Sequence, residues 1–321
     1  DPGRAAQRLA GHALDAAQSR TLSREIVRAI AAGREMAPLK PVRLAILANT
    51  TFDFIADALP AAAARHGVAL DLHVAPLDTV EAEAMDPASG TYAFRPDVTL
   101  VAVDHRWLNL GAAELRGAAD GRIEAALARL GAVARMLAAS GGGVMLSTLA
   151  VPPHGLFGSF DRLFPGSARS LIAGFNAALP ALAAEIGGLV LDVGGLAERV
   201  GTARWFDPPS YNLYKLPFAA AAVPLYADWV GRLLGALCGR TRKCLVLDLD
   251  NTCWGGVIGD DGLEGIRIGS GSAEGESFAA VQEMALALKS RGIILAVSSK
   301  NDDENARLPF RRHPDMVLRE S

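Results

Sequence analysis

The sequence predicts an α/β protein made of two parallel-sheet, three-layer domains. Three observations carry this. Short apolar strands alternate with helices five times before residue 239, the pattern of a parallel sheet covered on both faces. Those strands are continuous apolar runs, as strands buried on both sides should be. A basic, glycine-containing segment, GRTRKC (239–244), then precedes a second strand–helix–strand unit, and the domain boundary is expected there.

Taken in order, residues 1–34 read as a helical segment, with Ala, Leu and Ile at helical spacing and few breakers. PVRLAILANT (41–50) is a buried strand, followed by a helix over 52–66 that Gly67 closes. ALDLHVA (69–75) and PDVTLVAV (96–103) are the next strands. A long Ala/Leu-rich helix over 112–139 stops at Ser140 and three glycines. GVMLSTL (143–149) is a strand, 168–186 a helix, GLVLDV (188–193) a strand and 217–237 a helix, which completes a domain over 35–238. In the last segment, 239–321, KCLVLDLD (243–250) is a strand and GGVIGDDGLEG a glycine-rich loop. Residues 273–291 form a helix with Phe278, Val281, Ala285 and Leu288 on one face and Gly292 as its cap. IILAVSS (293–299) is the strand that ends a right-handed crossover.

Composition narrows the function. Half of the 321 residues are apolar and 21% are charged, which suits a globular chain with real cores. A net charge of -3 without a basic stripe argues against nucleic acid as a partner. No apolar run is long enough to span a bilayer, and the first residues have no signal-peptide pattern. Three cysteines, Cys238, Cys244 and Cys253, argue against a disulfide framework and for a reducing cytoplasm. Abundant Ala, Gly, Leu and Arg point to a bacterial source of high GC content.

The chemistry-bearing motif is DLDNT (248–252), at the carboxyl end of an apolar strand, where open parallel sheets bind their ligands. It fits the DxDxT pattern of HAD-type phosphoryl-transfer domains. In that pattern Asp248 attacks phosphorus, and Asp250 protonates the leaving group and later activates water. Mg²⁺ would be held by the Asp248 carboxylate, the Asp250 main-chain carbonyl and a further acidic residue, since Mg²⁺ favours few carboxylates plus waters. One crossover later, Ser299, Lys300 and Asn301 end a strand and are expected to form an oxyanion clamp with Thr252. The alternative for Ser299 is a helix N-cap before DDENA.

The longer run LVLDLDNTCWGGVIGDDGLEGIRIG (245–269), with GIILAVSSKNDDENA and PFRRHPDMVL, resembles the FkbH-like branch of HAD proteins. There the motif continues through Trp254, Gly255, Gly256, Asp261 and Gly262. The resemblance covers 239–319 and extends more weakly to the first domain, which is similar to SGNH-hydrolase-like domains. It implies a HAD Rossmann-like fold for the second domain and an SGNH/flavodoxin-like fold for the first. It also implies an enzyme that takes the three-carbon unit of 1,3-bisphosphoglycerate, releases phosphate and loads a glyceryl group onto an acyl carrier protein for polyketide-type biosynthesis. Trp254, Gly255 and Gly256 would then border the substrate. Cys253 has two readings: an acyl-carrying thiol beside the phosphate site, or a small residue filling a core position where many relatives have Leu. Two alternatives stand beside this function: a plain Mg²⁺-dependent small-molecule phosphatase, and a non-catalytic carrier-protein docking module.

Two departures from the family pattern matter. The later lysine and acidic pair of HAD sites have no place before Ser321, so the chain is expected to be a fragment with an incomplete second domain. The first domain lacks a Gly-Asp-Ser at its first strand end, ANTTFD (48–53), and a histidine base near its end, so it reads as a degenerate docking or substrate-orienting module. Asn49, Thr50, Thr51, Asp104 and His105 gather at strand ends and are expected to form at most a vestigial pocket. His154 and the run Arg311, Arg312, His313 are expected to be solvated.

Overall fold

The structure is a computed structural model that describes residues 1–111, 121–153 and 155–320. It comprises two compact units, Asp1–Arg240 and Thr241–Ser321.

The first unit is built on five parallel strands: β1 (Lys40–Ala48), β2 (Val68–Val74), β3 (Val98–Ala102), β4 (Gly143–Ser147) and β5 (Leu189–Leu191). Their spatial order is β2-β1-β3-β4-β5, the flavodoxin-like order. Successive side chains of a strand point to opposite faces, and here both faces are apolar. Leu44 and Ile46 enter one core with Leu100, Met145, Val230 and Leu234. Ala45 and Leu47 enter the other with Val101, Leu146, Leu130 and Phe175. The expectation of a doubly covered sheet therefore holds for this unit.

The predicted helical segment 1–34 is two helices, Pro2–Ala10 and Ala16–Ala31. The second starts at a capping box in which Asp15 accepts from the Gln18 amide and the Gln18 side chain accepts from Asp15 N–H. Both pack Ala6, Ala10, Ile26 and Ala29 against Met36, Leu39 and Ala64. The helix predicted over 52–66 splits into Asp53–Ala56 and Leu59–Arg65. Pro60, which lacks an N–H, sits in the first turn of the second piece, where that donor is not needed. Residues 112–120 of the predicted helix 112–139, and His154, lie outside the described residues; Arg122–Ala139 is helical. The helix predicted from 217 starts at Val223, after a short 3-10 turn.

Helix Val223–Leu237 lies close on Leu59–Arg65 because two of its residues are glycines. A Cβ on Gly231 would stand 2.9 Å from the Ala62 carbonyl oxygen, and one on Gly235 would stand 2.8 Å from that of His66. The same contact carries Asp228, whose carboxylate lies 2.8 Å from His66 Nε2 and 2.8 Å from Arg232 Nε.

The second unit has two parallel strands, β6 (Cys244–Leu247) and β7 (Ile294–Val297), with helices Ile258–Gly265, Ala273–Lys289 and Asp303–Arg312. Its core joins Leu247, Leu249, Trp254, Ile266, Ile268 and Leu318. The three-layer expectation is corrected here. Val246 and Ile294, which share one face, stay 58% and 64% exposed, so among the described residues that face of this small sheet has no apolar cover. The glycine-rich stretch read as a loop contains the helix Ile258–Gly265, which breaks its regular geometry at Gly262.

The bond to His66, aided by Arg232 against the cost of burial, pushes the Asp228 carboxyl down to about 2. An unfolded aspartate titrates near ~3.9. The network therefore stabilises the fold above about pH 4, and that stability is lost as the pH falls through about 2. Asp228→Asn is expected to be less stable than the wild type at pH 7, with the gap closing between about pH 4 and pH 2. Denaturant unfolding across that range checks this, and a gap that ignores pH would refute it.

Candidate active site

The site of the second unit begins where β6 ends. Asp248 follows the strand directly and is exposed, and its Oδ1 accepts the Leu249 amide at 2.8 Å. The chain then turns, with the Thr252 and Cys253 amides both donating to the Leu249 carbonyl, at 3.1 and 2.8 Å. Asn251 takes a left-handed conformation, φ 55°, which asparagine tolerates better than most residues. This turn brings Asp250 back over the strand ends.

Asp250 is the organising group. Its Oδ1 accepts from the Trp254 indole Nε1 at 3.1 Å and from the Ile258 amide at 3.1 Å. Its Oδ2 accepts from Asn301 Nδ2 at 2.8 Å. One carboxylate thus ties the loop after β6, the start of helix Ile258–Gly265 and the segment after β7. Oδ1 has two donors and Oδ2 one, which leaves a lone pair on Oδ2 for proton transfer.

The flanking glycines are required by packing. Gly255 exchanges two backbone hydrogen bonds with Arg267, and a Cβ there would stand 2.8 Å from both Glu274 Oε1 and Phe278 Cε2. Gly256 has φ 96°, and a Cβ there would stand 2.6 Å from Asp261 Oδ2. That Asp261 oxygen accepts the Val257 amide at 2.8 Å. Both glycines, expected to border substrate, are buried loop residues in this structure.

Cys253 is fully buried, and its thiol lies 3.1 Å from the Asp248 carbonyl oxygen, to which it donates. Burial, with the Asp248 charge adding to it, pushes the thiol up to about 11. The side chain is therefore a protonated packing group in this conformation. Trp254 is likewise fully buried, edge-on to Phe310 with ring centroids 5.8 Å apart; it packs the flap and orients Asp250.

Of the segment after β7, Ser299 Oγ accepts the Asn301 amide at 3.2 Å, a turn bond two residues on. Ser299 is not the N-cap of the next helix; Asp302 holds that position. Asn301, expected in an oxyanion clamp, turns its amide nitrogen to Asp250. Lys300 is exposed, and neither it nor Thr252 makes a side-chain hydrogen bond among the described residues. The structure thus joins Asp250, Trp254, Asn301 and Ser299 in one network. Arg311, expected to be solvated, is paired with Glu320 at 2.5 Å.

Sequence reasoning missed Gln282, which is fully buried. Its Nε2 donates to the Cys253 carbonyl at 2.7 Å, and its Oε1 accepts the Val317 and Leu318 amides at 3.0 and 2.9 Å. It ties the motif loop to the last described residues of the chain. A long polar side chain between Val281 and Ala285 on the apolar face of a helix was the available signal.

A cavity of about 840 Å³ in this unit is lined by Leu247, Leu286, Ile294, Ser299, Asn301 and Phe310, among others, and includes neither Asp248 nor Asp250. The exposed carboxylate is therefore on the open surface of the unit.

Residues 43–234 match the family described as FkbH, N-terminal domain. The chain is also similar to the crystal structure of the N-terminal part of the protein BF1531 from Bacteroides fragilis, described as containing a phosphatase domain complexed with Mg. The identity is 30%, the TM-score is 0.79, and the match covers 92% of this chain and 78% of that one. An SGNH hydrolase from Slackia heliotrinireducens aligns at 14% identity and a TM-score of 0.40, over 61% of this chain and 100% of that one; a superposition this loose carries no argument. No curated protein matches the chain.

Replacing Gln282 by Leu would strip three backbone groups of their partner, each worth roughly 1–3 kcal/mol when left buried and unpaired. Gln282→Leu is expected to lower the melting temperature of the second unit, and so is Gln282→Glu, which keeps the acceptor but sets a buried carboxyl against the Cys253 carbonyl. Differential scanning calorimetry reads both, and an unchanged melting transition in Gln282→Leu would refute the tether.

Proposed function

The chain belongs to the FkbH family, and from that premise we propose that its second unit is a magnesium-dependent phosphoryl-transfer site serving glyceryl transfer. It acts on a phosphorylated three-carbon acyl donor, 1,3-bisphosphoglycerate, and the glyceryl unit is delivered to an acyl carrier protein. The observation that supports this most is the exposed Asp248 carboxylate at a strand end, two residues before a carboxylate fixed by three N–H donors. The Mg²⁺ complex of the Bacteroides fragilis protein supports the cofactor.

Asp248 is the nucleophile toward the phosphorus of the C3 phosphate, which passes to the carboxylate and is then released by water; the C1 acyl phosphate is kept, and the carrier thiol attacks its carbonyl carbon with the second phosphate as leaving group. Asp250, carrying a proton on the remaining lone pair of Oδ2, passes it to the C3 oxygen as that oxygen leaves phosphorus and then takes one back from the water that hydrolyses the aspartyl phosphate. Mg²⁺ takes oxygen ligands and keeps several waters. Asp248 offers an exposed carboxylate, and because the Asp250 side chain is committed to N–H donors, its main-chain carbonyl is the second donor. No group of three His, Cys, Asp or Glu forms a metal cluster among the described residues, so those residues supply these two donors toward the ion. Bound there, it supplies positive charge that offsets the phosphoryl oxygens.

A second reading is favoured by the burial of Cys253: a plain phosphatase, in which the reaction stops at phosphate release. An enzyme-bound glyceryl thioester needs the loop 251–257 to open and a base to remove the thiol proton. The first unit we assign to docking or orienting the carrier or donor.

Two variants separate these readings. With 1,3-bisphosphoglycerate, Mg²⁺ and carrier protein, Asp248→Asn is expected to lower release of the C3 phosphate by about a thousandfold or more. Cys253→Ala is expected to release phosphate within about tenfold of the wild type, since the thiol is sealed in the core. Mass spectrometry of the carrier decides between transferase and phosphatase: a glyceryl adduct requires the first, and phosphate release with an unmodified carrier the second. Undiminished turnover in Asp248→Asn would overturn both.

A further inference from the structure

The first unit carries a small cavity that the phosphoryl-transfer reading does not use. It lies at the carboxyl ends of four parallel strands, lined by Thr50 after β1, Ala102 to Arg106 after β3, Ser147 to Ala150 after β4 and Val193 after β5. The strand order reverses between β1 and β3, which is where open sheets form ligand crevices. The space is about 50 Å³, room for roughly three water-sized groups.

Its polar lining is unusual. Thr50 Oγ1, Ser147 Oγ and Tyr226 OH are each buried without a hydrogen-bond partner among the described residues, and all three line this cavity. Their residues are 2%, 4% and 2% exposed. A buried hydroxyl left unpaired costs free energy, so three in one cavity point to an occupant that pairs them. Burial pushes the Tyr226 phenol well above its ordinary range, and the nearby Ser147 hydroxyl acts in the opposite direction, although the two groups do not meet in hydrogen-bond geometry. The phenol is therefore a donor at any physiological pH.

The charges nearby are already spent. Asp104 accepts from Asn49 Nδ2 at 2.9 Å and pairs with Arg106 at 2.5 Å, and the Arg106 guanidinium lies 3.7 Å from the centre of the Tyr211 ring. Burial holds His105 below its ordinary range, so it is the neutral imidazole. The rest of the wall is aromatic, with Trp205 and Phe218 stacked at 4.6 Å and Phe218 against Tyr226 at 4.9 Å. Among the described residues that line the cavity no charge is free to hold an ion, and an apolar wall disfavours one.

We propose that this cavity binds a short, uncharged, oxygen-bearing group, such as a small amide or hydroxyacyl end, with its oxygen held by the hydroxyls of Thr50, Ser147 and Tyr226. The aromatic wall excludes water and takes the carbon atoms. The site is independent of Asp248, so its failure would leave the phosphoryl-transfer reading untouched.

Acetamide and acetate are nearly equal in size and differ in charge, which makes them the probes. Saturation-transfer NMR on the whole chain is expected to show acetamide binding and acetate not. Thr50→Val, Ser147→Ala and Tyr226→Phe remove one hydroxyl each with little change of shape. Any two combined should weaken acetamide at least tenfold. The unliganded variants should keep or raise the wild-type melting temperature, because an unpaired hydroxyl is gone. Equal binding of acetate, acetamide binding that ignores the hydroxyls, or no binding with a lowered melting temperature in every variant would each overturn the proposal; the last would mean that ordered water alone fills the cavity.

Discussion

The second unit depends on one carboxylate collecting three donors from separate stretches of chain. Asp250 could not accept from Trp254, Ile258 and Asn301 unless β6 and β7 ended side by side and the loop between them folded back across both ends. That requirement explains the local sequence. Asn251 takes the left-handed turn, Gly255 and Gly256 admit neighbours where a Cβ would collide, and Asp261 accepts the amide that the loop exposes. The exposed position of Asp248 is the by-product: with its neighbour locked, the preceding side chain is the one left to face outward.

The first unit obeys a different constraint, the burial of both faces of its strands. Leu44 and Ile46 point one way, Ala45 and Leu47 the other, and all four are inaccessible to solvent. This leaves polar chemistry nowhere but the strand ends, which is where Asn49, Thr50, Asp104 and Ser147 lie. The two units thus reach the same arrangement, polar groups at carboxyl ends of parallel strands, by separate routes.

Much of this was legible in the residues. Continuous apolar runs such as PVRLAILA announce buried parallel strands, and each of the five strands of the first unit falls within the run that predicted it, give or take a residue. DLDNT reads as the end of an apolar strand, and Asp248 does follow β6 directly, while the FkbH resemblance read from residues 245–269 agrees with a family match that falls on the other part of the chain. What stayed hidden has physical causes. The helices Val80–Met85, Gly90–Phe94 and Pro208–Tyr214 are too short to show a period. Helix Ile258–Gly265 sits in a glycine-rich stretch whose composition speaks against it, and it forms because Asp250 and Asp261 satisfy amides at its start. Gln282 and Asn301 act through bonds to residues 29 and 51 positions away, and no local pattern reports such partners.

The three thiols occupy three different environments: Cys244 is exposed at the start of β6, Cys238 is half-buried, and Cys253 is sealed in the core. An alkylating reagent added to the native protein therefore meets Cys244 first, in the very strand that leads to Asp248. Inactivation by such a reagent would look like capture of a reactive-site thiol while the adduct sat four residues upstream of the carboxylate. Peptide mapping of the modified protein, or prior replacement of Cys244 by Ser, is the control that keeps chemical labelling from naming the wrong sulfur.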